Sequence, residues 1–89
     1  MVHRTCVIRN RLGLHARAAS QLVGVSQEYS ATITLRCGEK TGNAKSIMSV
    51  LMLQATQGTE LEVEAEGGEA EEAVSAIEAL IEDLFGEGE

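Results

Sequence analysis

The segment GLHARAA, residues 13–19, places a single histidine directly before a run of good helix formers. His15 has no cysteine, second histidine or carboxylate within a helical turn, so metal chelation and a catalytic dyad both lack their partners. Its asset is position. As the residue before Ala16 it is the expected N-cap of a helix, with Leu14 as an apolar anchor and Gly13 free to adopt an unusual backbone angle. A helix start offers unpaired N–H groups and the positive end of the helix dipole, which together attract anions and phosphate. The same field disfavours imidazolium, so a neutral and nucleophilic ring is expected near pH 7. Arg17 falls on the outward half of the helical wheel, beside the helix start, where it can give a charge-assisted bond to phosphate oxygens. The arrangement suits transient phosphohistidine formation, cradled by the backbone of Ala16, Arg17 and Ala18. A surface histidine without a role is the commoner case, and the residues alone leave both readings standing. His3, with no such surroundings, takes the plainer one.

The elements that must position these residues alternate along the chain. VHRTCVI, from Val2, reads as a first strand with Val2, Cys6 and Ile8 on one face, although Val7 blurs the alternation. ATITLRC sets Ala31, Ile33, Leu35 and Cys37 against Thr32, Thr34 and Arg36, and a short third strand follows from Glu39 to Asn43. ELEVEAE turns Leu61, Val63 and Ala65 inward and four glutamates outward. Such half-polar strands favour an antiparallel sheet with one wet face.

Three helices lie between and after the strands. At about 100° per residue, Ala16, Ala18, Ala19, Leu22, Val23 and Val25 share one half of the first wheel. The last helix, from about Glu69 to Leu84, gathers Ala70, Ala73, Val74, Ile77, Leu80, Ile81 and Leu84 on one stripe. The middle segment SIMSVLML differs: Ile47, Val50, Leu51 and Gln54 can face inward, but Met48 and Met52 then point away. A helix apolar on nearly every side is hard to bury in so short a chain, and methionine suits adaptable contacts. An exposed docking patch is therefore favoured over plain core. The order β-α-β-β-α-β-α opens with a split βαβ pattern and predicts an α+β open-faced β-sandwich: a four-stranded antiparallel sheet with three helices on one face.

Eighty-nine residues suffice for a single domain, 1–89, with 86–89 expected to fray. The chain contains no proline and two aromatic residues, so its core must come from Val, Ile, Leu, Met and Ala. Cys6 and Cys37 lack zinc-like spacing and sit in strand-like runs, which favours reduced core thiols over a disulfide. A net charge of −7 argues against nucleic acid. The charge is unevenly spread: all seven Lys and Arg lie before position 46, opposed there by Glu28 and Glu39 alone. His15 shares its segment with Arg9, Arg11 and Arg17, a local field that favours an anionic ligand or acidic partner. No apolar run approaches the ~20 residues of a membrane span, and the start carries no apolar stretch of signal-peptide length, so a cytosolic location is expected.

NRLGLHARAAS, AKSIMSVLML and QGTELEVEAEG together resemble the HPr family, the histidine-containing phosphocarriers of the bacterial phosphotransferase system. The resemblance runs over essentially the whole chain without gaps. It implies phosphorylation of His15 on Nδ1 by enzyme I, which draws phosphate from phosphoenolpyruvate, and transfer onward to an enzyme IIA domain. It also implies that Arg17 binds phosphate and that Ser46 is the serine modified by HPr kinase/phosphorylase in many bacteria. The docking face for partners is then Ile47, Met48, Leu51 and Met52. A carrier of this kind is a monomer and a co-substrate without cofactor or metal, not an enzyme. One departure stands out. Ala18 occupies a position where the family usually has proline, and keeps one more N–H near the phosphate.

Two other readings remain on the residues. One keeps the fold but makes the chain a regulatory or nitrogen-branch paralogue acting through its phosphorylation state. The other is a small binding module in which His15 is incidental, against which the placement of Arg17 argues.

Overall fold

The computed structural model describes residues 1–86. It contains strand β1 (Val2–Val7), helix α1 (Ala16–Ser26), strands β2 (Thr32–Cys37) and β3 (Lys40–Asn43), helix α2 (Ile47–Met52), strand β4 (Glu60–Glu66), helix α3 (Ala70–Glu82) and a 3-10 turn, Leu84–Gly86. The sheet order is β1-β4-β2-β3 with every neighbouring pair antiparallel. Strand β4 inserts between β1 and β2, which splits the β1–α1–β2 unit as the element order predicts. The helices cover one face and the other stays in water, an open-faced α+β sandwich.

Strand alternation decides which face is covered. Leu61, Val63 and Ala65 of β4 are buried with Ile33 and Leu35 of β2 and Cys6 of β1. The β4 glutamates take the opposite face, where they cross-pair diagonally. Glu62 lies opposite Thr5 and Arg36 in register, yet bonds His3 Nε2 at 2.8 Å; Glu64, opposite His3 and Thr34, accepts from Arg36 at 2.9 Å. Onto the apolar face α1 brings Ala18, Ala19, Leu22 and Val23, and α3 brings Ala73, Val74, Ile77 and Ile81. Both cysteines are free thiols, Cys6 buried and Cys37 half-buried.

Several expectations need correction. Val7 is exposed, so β1 alternates more cleanly than its sequence suggests. Ala16 points outward although the wheel placed it with the apolar half; the helix enters the core only from Ala18 and Ala19 onward. Helix α2 is one and a half turns long and stops at Met52, so Ile47 and Gln54 are exposed and Leu53, just past the end, is buried instead. Helix α3 ends at Glu82, not Leu84. Leu84 and Phe85 both adopt positive φ, +57° and +53°, and that reversal drives the Phe85 ring into the core while Leu84 stays half-exposed. Gly86 closes this turn; positions 87–89, the rest of the expected fray, lie outside the described residues.

Candidate phosphoryl-acceptor site

The loop from Ile8 to His15 is pinned from below by the segment before β4. The Ile8 N–H donates to the Thr59 carbonyl at 2.9 Å, and the Gly58 N–H to the Ile8 carbonyl at 2.7 Å. Gln57 Nε2 donates to the Arg9 carbonyl at 3.2 Å, and the Leu14 N–H to the Ala55 carbonyl at 2.9 Å. Inside the loop a small network sets the turn. Asn10 is fully buried; its Nδ2 donates to the Gly13 carbonyl at 2.8 Å while its own carbonyl accepts the Gly13 N–H at 3.2 Å. The Gly13 carbonyl also accepts the His15 N–H at 2.9 Å. Gly13 sits at φ +69°, a left-handed conformation that costs glycine least. Asn10 escaped the sequence reading; an Asn three residues before a Gly is a turn signature that could have exposed it.

This loop delivers His15 to the N-cap of α1 in an extended conformation, φ −78° and ψ 178°. The His15 carbonyl accepts the Ala19 N–H at 2.8 Å, the first rung of the helix. The N–H groups of Ala16, Arg17 and Ala18 precede that rung and have no helical acceptor. That of Arg17 donates to His15 Nδ1 at 3.3 Å. A nitrogen that accepts an N–H carries no proton, so Nδ1 presents its lone pair at the helix start. The bond is long, which makes it easy to give up to an incoming electrophile. The ring is half-exposed and Arg17 exposed; the Arg17 guanidinium makes no hydrogen bond or ion pair among the described residues. Ala18 points its methyl into the core with no exposed surface, so its N–H, not its side chain, faces this end of the helix.

Ser46 caps α2, its Oγ accepting the Ser49 N–H at 3.4 Å and its carbonyl the Val50 N–H at 3.0 Å. It is not beside His15. Lys45 Nζ donates to the Tyr29 carbonyl at 2.6 Å and Gln27 Nε2 to the Lys45 carbonyl at 3.4 Å, so the start of α2 is tied to the end of α1. The other end of α2 runs through Leu53 into Ala55, beneath Leu14. Helices α1 and α2 therefore run antiparallel, and Ser46 and His15 lie at opposite ends of the pair. Between them α2 exposes Ile47, Met48 and Met52, the methionines at 63% and 68%, while Leu51 is half-buried. Gly42 of β3 explains why this helix lies so close to the sheet: a Cβ there would come within 2.9 Å of the Ser49 carbonyl oxygen. Leu12, 67% exposed on the loop before His15, adds an apolar side chain to which the sequence reading gave no role.

A family model described as the phosphorylation site of the HPr component of the phosphotransferase system matches residues 2–83. The chain belongs to the HPr family. It is 46% identical over 83 residues to the phosphocarrier protein HPr of Pseudomonas aeruginosa, covering 92% of each chain. It is 41% identical over 86 residues to the phosphocarrier protein NPr of Proteus mirabilis, covering 96% of each. Its fold matches a crystal structure of HPr from Thermoanaerobacter tengcongensis with a TM-score of 0.94 at 41% identity, over 98% of each chain. This HPr-family chain is thus a phosphocarrier of the phosphotransferase system. Among its described residues no helix is long and apolar enough to cross a membrane.

Proposed function

We propose that His15 accepts a phosphoryl group from phosphorylated enzyme I and hands it to an enzyme IIA domain. The observation that carries this reading is the Arg17 N–H donating to His15 Nδ1, which aims one lone pair at a helix N-terminus. In the forward step Nδ1 forms a bond to phosphorus as the bond to the donor breaks. The ring gives up its contact with the Arg17 N–H, and the phosphoryl oxygens take over that donor and its neighbours on Ala16 and Ala18. Arg17, exposed and without a partner of its own among the described residues, swings its guanidinium onto the same oxygens. None of these groups draws electrons away from the N–P bond by covalent attachment, so the phosphoryl group stays transferable and the reverse step uses the same contacts.

Enzyme I and enzyme IIA then use one face, Ile47, Met48 and Met52 with the edge of Leu51, next to the acceptor. Ser46 is the regulatory position, acted on by an HPr kinase/phosphorylase, at the far end of that face. The carrier works as a single-domain monomer in the cytoplasm. Incubation with enzyme I and labelled phosphoenolpyruvate tests the core of this reading. Acid-labile, alkali-stable label on His15 is the expected outcome, and no label under conditions that label a control HPr refutes it.

A second reading has its own support in the 41% identity to an NPr. On it the chain serves a regulatory branch, controlling other proteins by its phosphorylation state. Comparing transfer rates from a sugar-branch and a nitrogen-branch enzyme I separates the two.

A further inference from the structure

Strand β1 is an edge of the sheet, and the ladder shows which of its backbone groups are spent. The Ile8 N–H bonds Thr59, and the same register carries the even positions Cys6, Arg4 and Val2 against Leu61, Val63 and Ala65. In an antiparallel ladder the intervening residues turn their backbone groups the other way. The N–H and C=O of His3, Thr5 and Val7 therefore point out of the sheet, and all three residues are exposed. On the far side of β4 the same parity recurs: the Ala44 N–H bonds Ile33, leaving the even residues of β2 to face β4.

Beneath this edge lies an open groove of about 390 Å3, between Cys6, Val7 and Arg9 of the strand side and Glu78, Ile81 and Glu82 of α3. Its floor is apolar, and its wall carries two carboxylates one helical turn apart against one guanidinium. The fold already shows what such a wall accepts. Arg4, the neighbouring residue on the covered side of β1, reaches α3 and pairs with Glu71 at 3.1 Å and Glu78 at 3.7 Å. Glu82 has no such partner among the described residues. The carboxylates are felt within the groove as well, since burial first and then Glu78 and Glu82 push the Cys6 thiol up.

We propose that the β1 edge with this groove is a docking site for an extended basic segment of another protein, which adds as a further strand and inserts a Lys or Arg side chain between Cys6 and Glu82. The outward groups of Thr5 and Val7 supply main-chain bonds, and the residue of the added strand opposite Cys6 faces the α3 side. A second copy of this chain suits the site less well, because pairing two β1 edges brings two α3 helices together, each carrying Glu71, Glu72, Glu78 and Glu82. The site touches the His15 loop at Arg9 alone and uses neither His15, Arg17 nor Ser46, so it does not depend on the phosphotransfer reading.

The test titrates the isotope-labelled full chain with a synthetic peptide of alternating Lys and Thr, matched in length to β1, and with its Glu-Thr counterpart. The Lys-Thr peptide should shift the amides of His3, Thr5 and Val7 and protect them from exchange, and the Glu-Thr peptide should not. Thr5→Pro removes one outward N–H where an edge strand tolerates proline, and should abolish binding. Glu82→Lys, on an exposed helix surface, should weaken binding about tenfold with the fold unchanged. Equal binding of both peptides, full binding by Glu82→Lys, or shifts centred on the His15 loop would overturn the proposal. So would concentration-dependent dimerisation that protects the same amides without peptide, which would assign the edge to a second copy.

Discussion

A Cβ on Gly13 would lie 2.5 Å from the carbonyl oxygen of Ala55, the same oxygen that accepts the Leu14 N–H at 2.9 Å. The loop carrying His15 is thus seated on the segment after α2 with no room for a side chain between them. At φ +69° any substitution also pays backbone strain. Gly13→Ala should destabilise the fold by about 2–4 kcal/mol in urea denaturation and slow phosphotransfer by displacing His15. Unchanged stability would mean that the loop is not anchored through Ala55.

His15→Ala should abolish labelling from phosphoenolpyruvate through enzyme I, and His3→Ala should not. His3 sits on the open sheet face, bonded to Glu62, and caps none of the helices α1, α2 and α3. Label surviving in His15→Ala would remove the acceptor assignment.

Arg17→Ala should slow transfer in both directions while leaving the melting temperature unchanged, because the side chain is exposed and has no partner to lose among the described residues. A charge-assisted bond contributes about 1.5–3 kcal/mol, so the loss should be on the order of tenfold to a hundredfold. Rapid-quench measurements with each partner decide it, and unaltered rates would exclude Arg17 from the mechanism.

Ser46→Asp should lower affinity for enzyme I without lowering thermal stability, since a negative group at the start of α2 meets the positive end of its dipole. The long 3.4 Å cap bond has little to lose. The new charge sits next to Ile47 and Met48, where a docked partner must desolvate it or oppose it. Met48→Ala should weaken docking too, because its side chain is exposed and not part of the core. Titration against labelled enzyme I with melting curves alongside checks both; full affinity in both variants would show the face unused.

The native fold keeps the Cys6 thiol protonated beyond its ordinary value of 9.0, through burial first and then Glu78 and Glu82, with Arg4 opposing. A raised folded-state value means that this contribution to stability is fully present below the unfolded thiol's titration and is lost as pH rises through the folded one. Urea unfolding at stepped alkaline pH should therefore show a steeper decline in the wild type than in Cys6→Ala. Equal slopes would show that the thiol titrates alike in both states.

Periodicity and end signals carried most of this fold. Alternation in ELEVEAE and TITL assigned faces to β4 and β2, and the serine and histidine before α2 and α1 marked both helix starts. Such features are local: a side chain's direction follows from its position in a strand or turn, and a cap acts within a few residues. Local signals failed where tertiary packing outbid them. The α3 stripe continued to Leu84, but burying Phe85 required the chain to leave the helix through two positive φ angles. In α2 the wheel turned Ile47 inward, yet Gly42 lets the helix settle on Ser49 and Val50 with Ile47 in water. The placement of His15 and Arg17 at the start of α1 was legible because the two residues and the helix start are neighbours in sequence. What holds that start in place was not: Asn10, Gly13, Ala55 and Gln57 meet only after β4 has paired with β1 and drawn its preceding loop under the histidine. The distance between Ser46 and His15 is of the same kind, since the antiparallel packing of α1 on α2 sets it and no spacing along the chain records it.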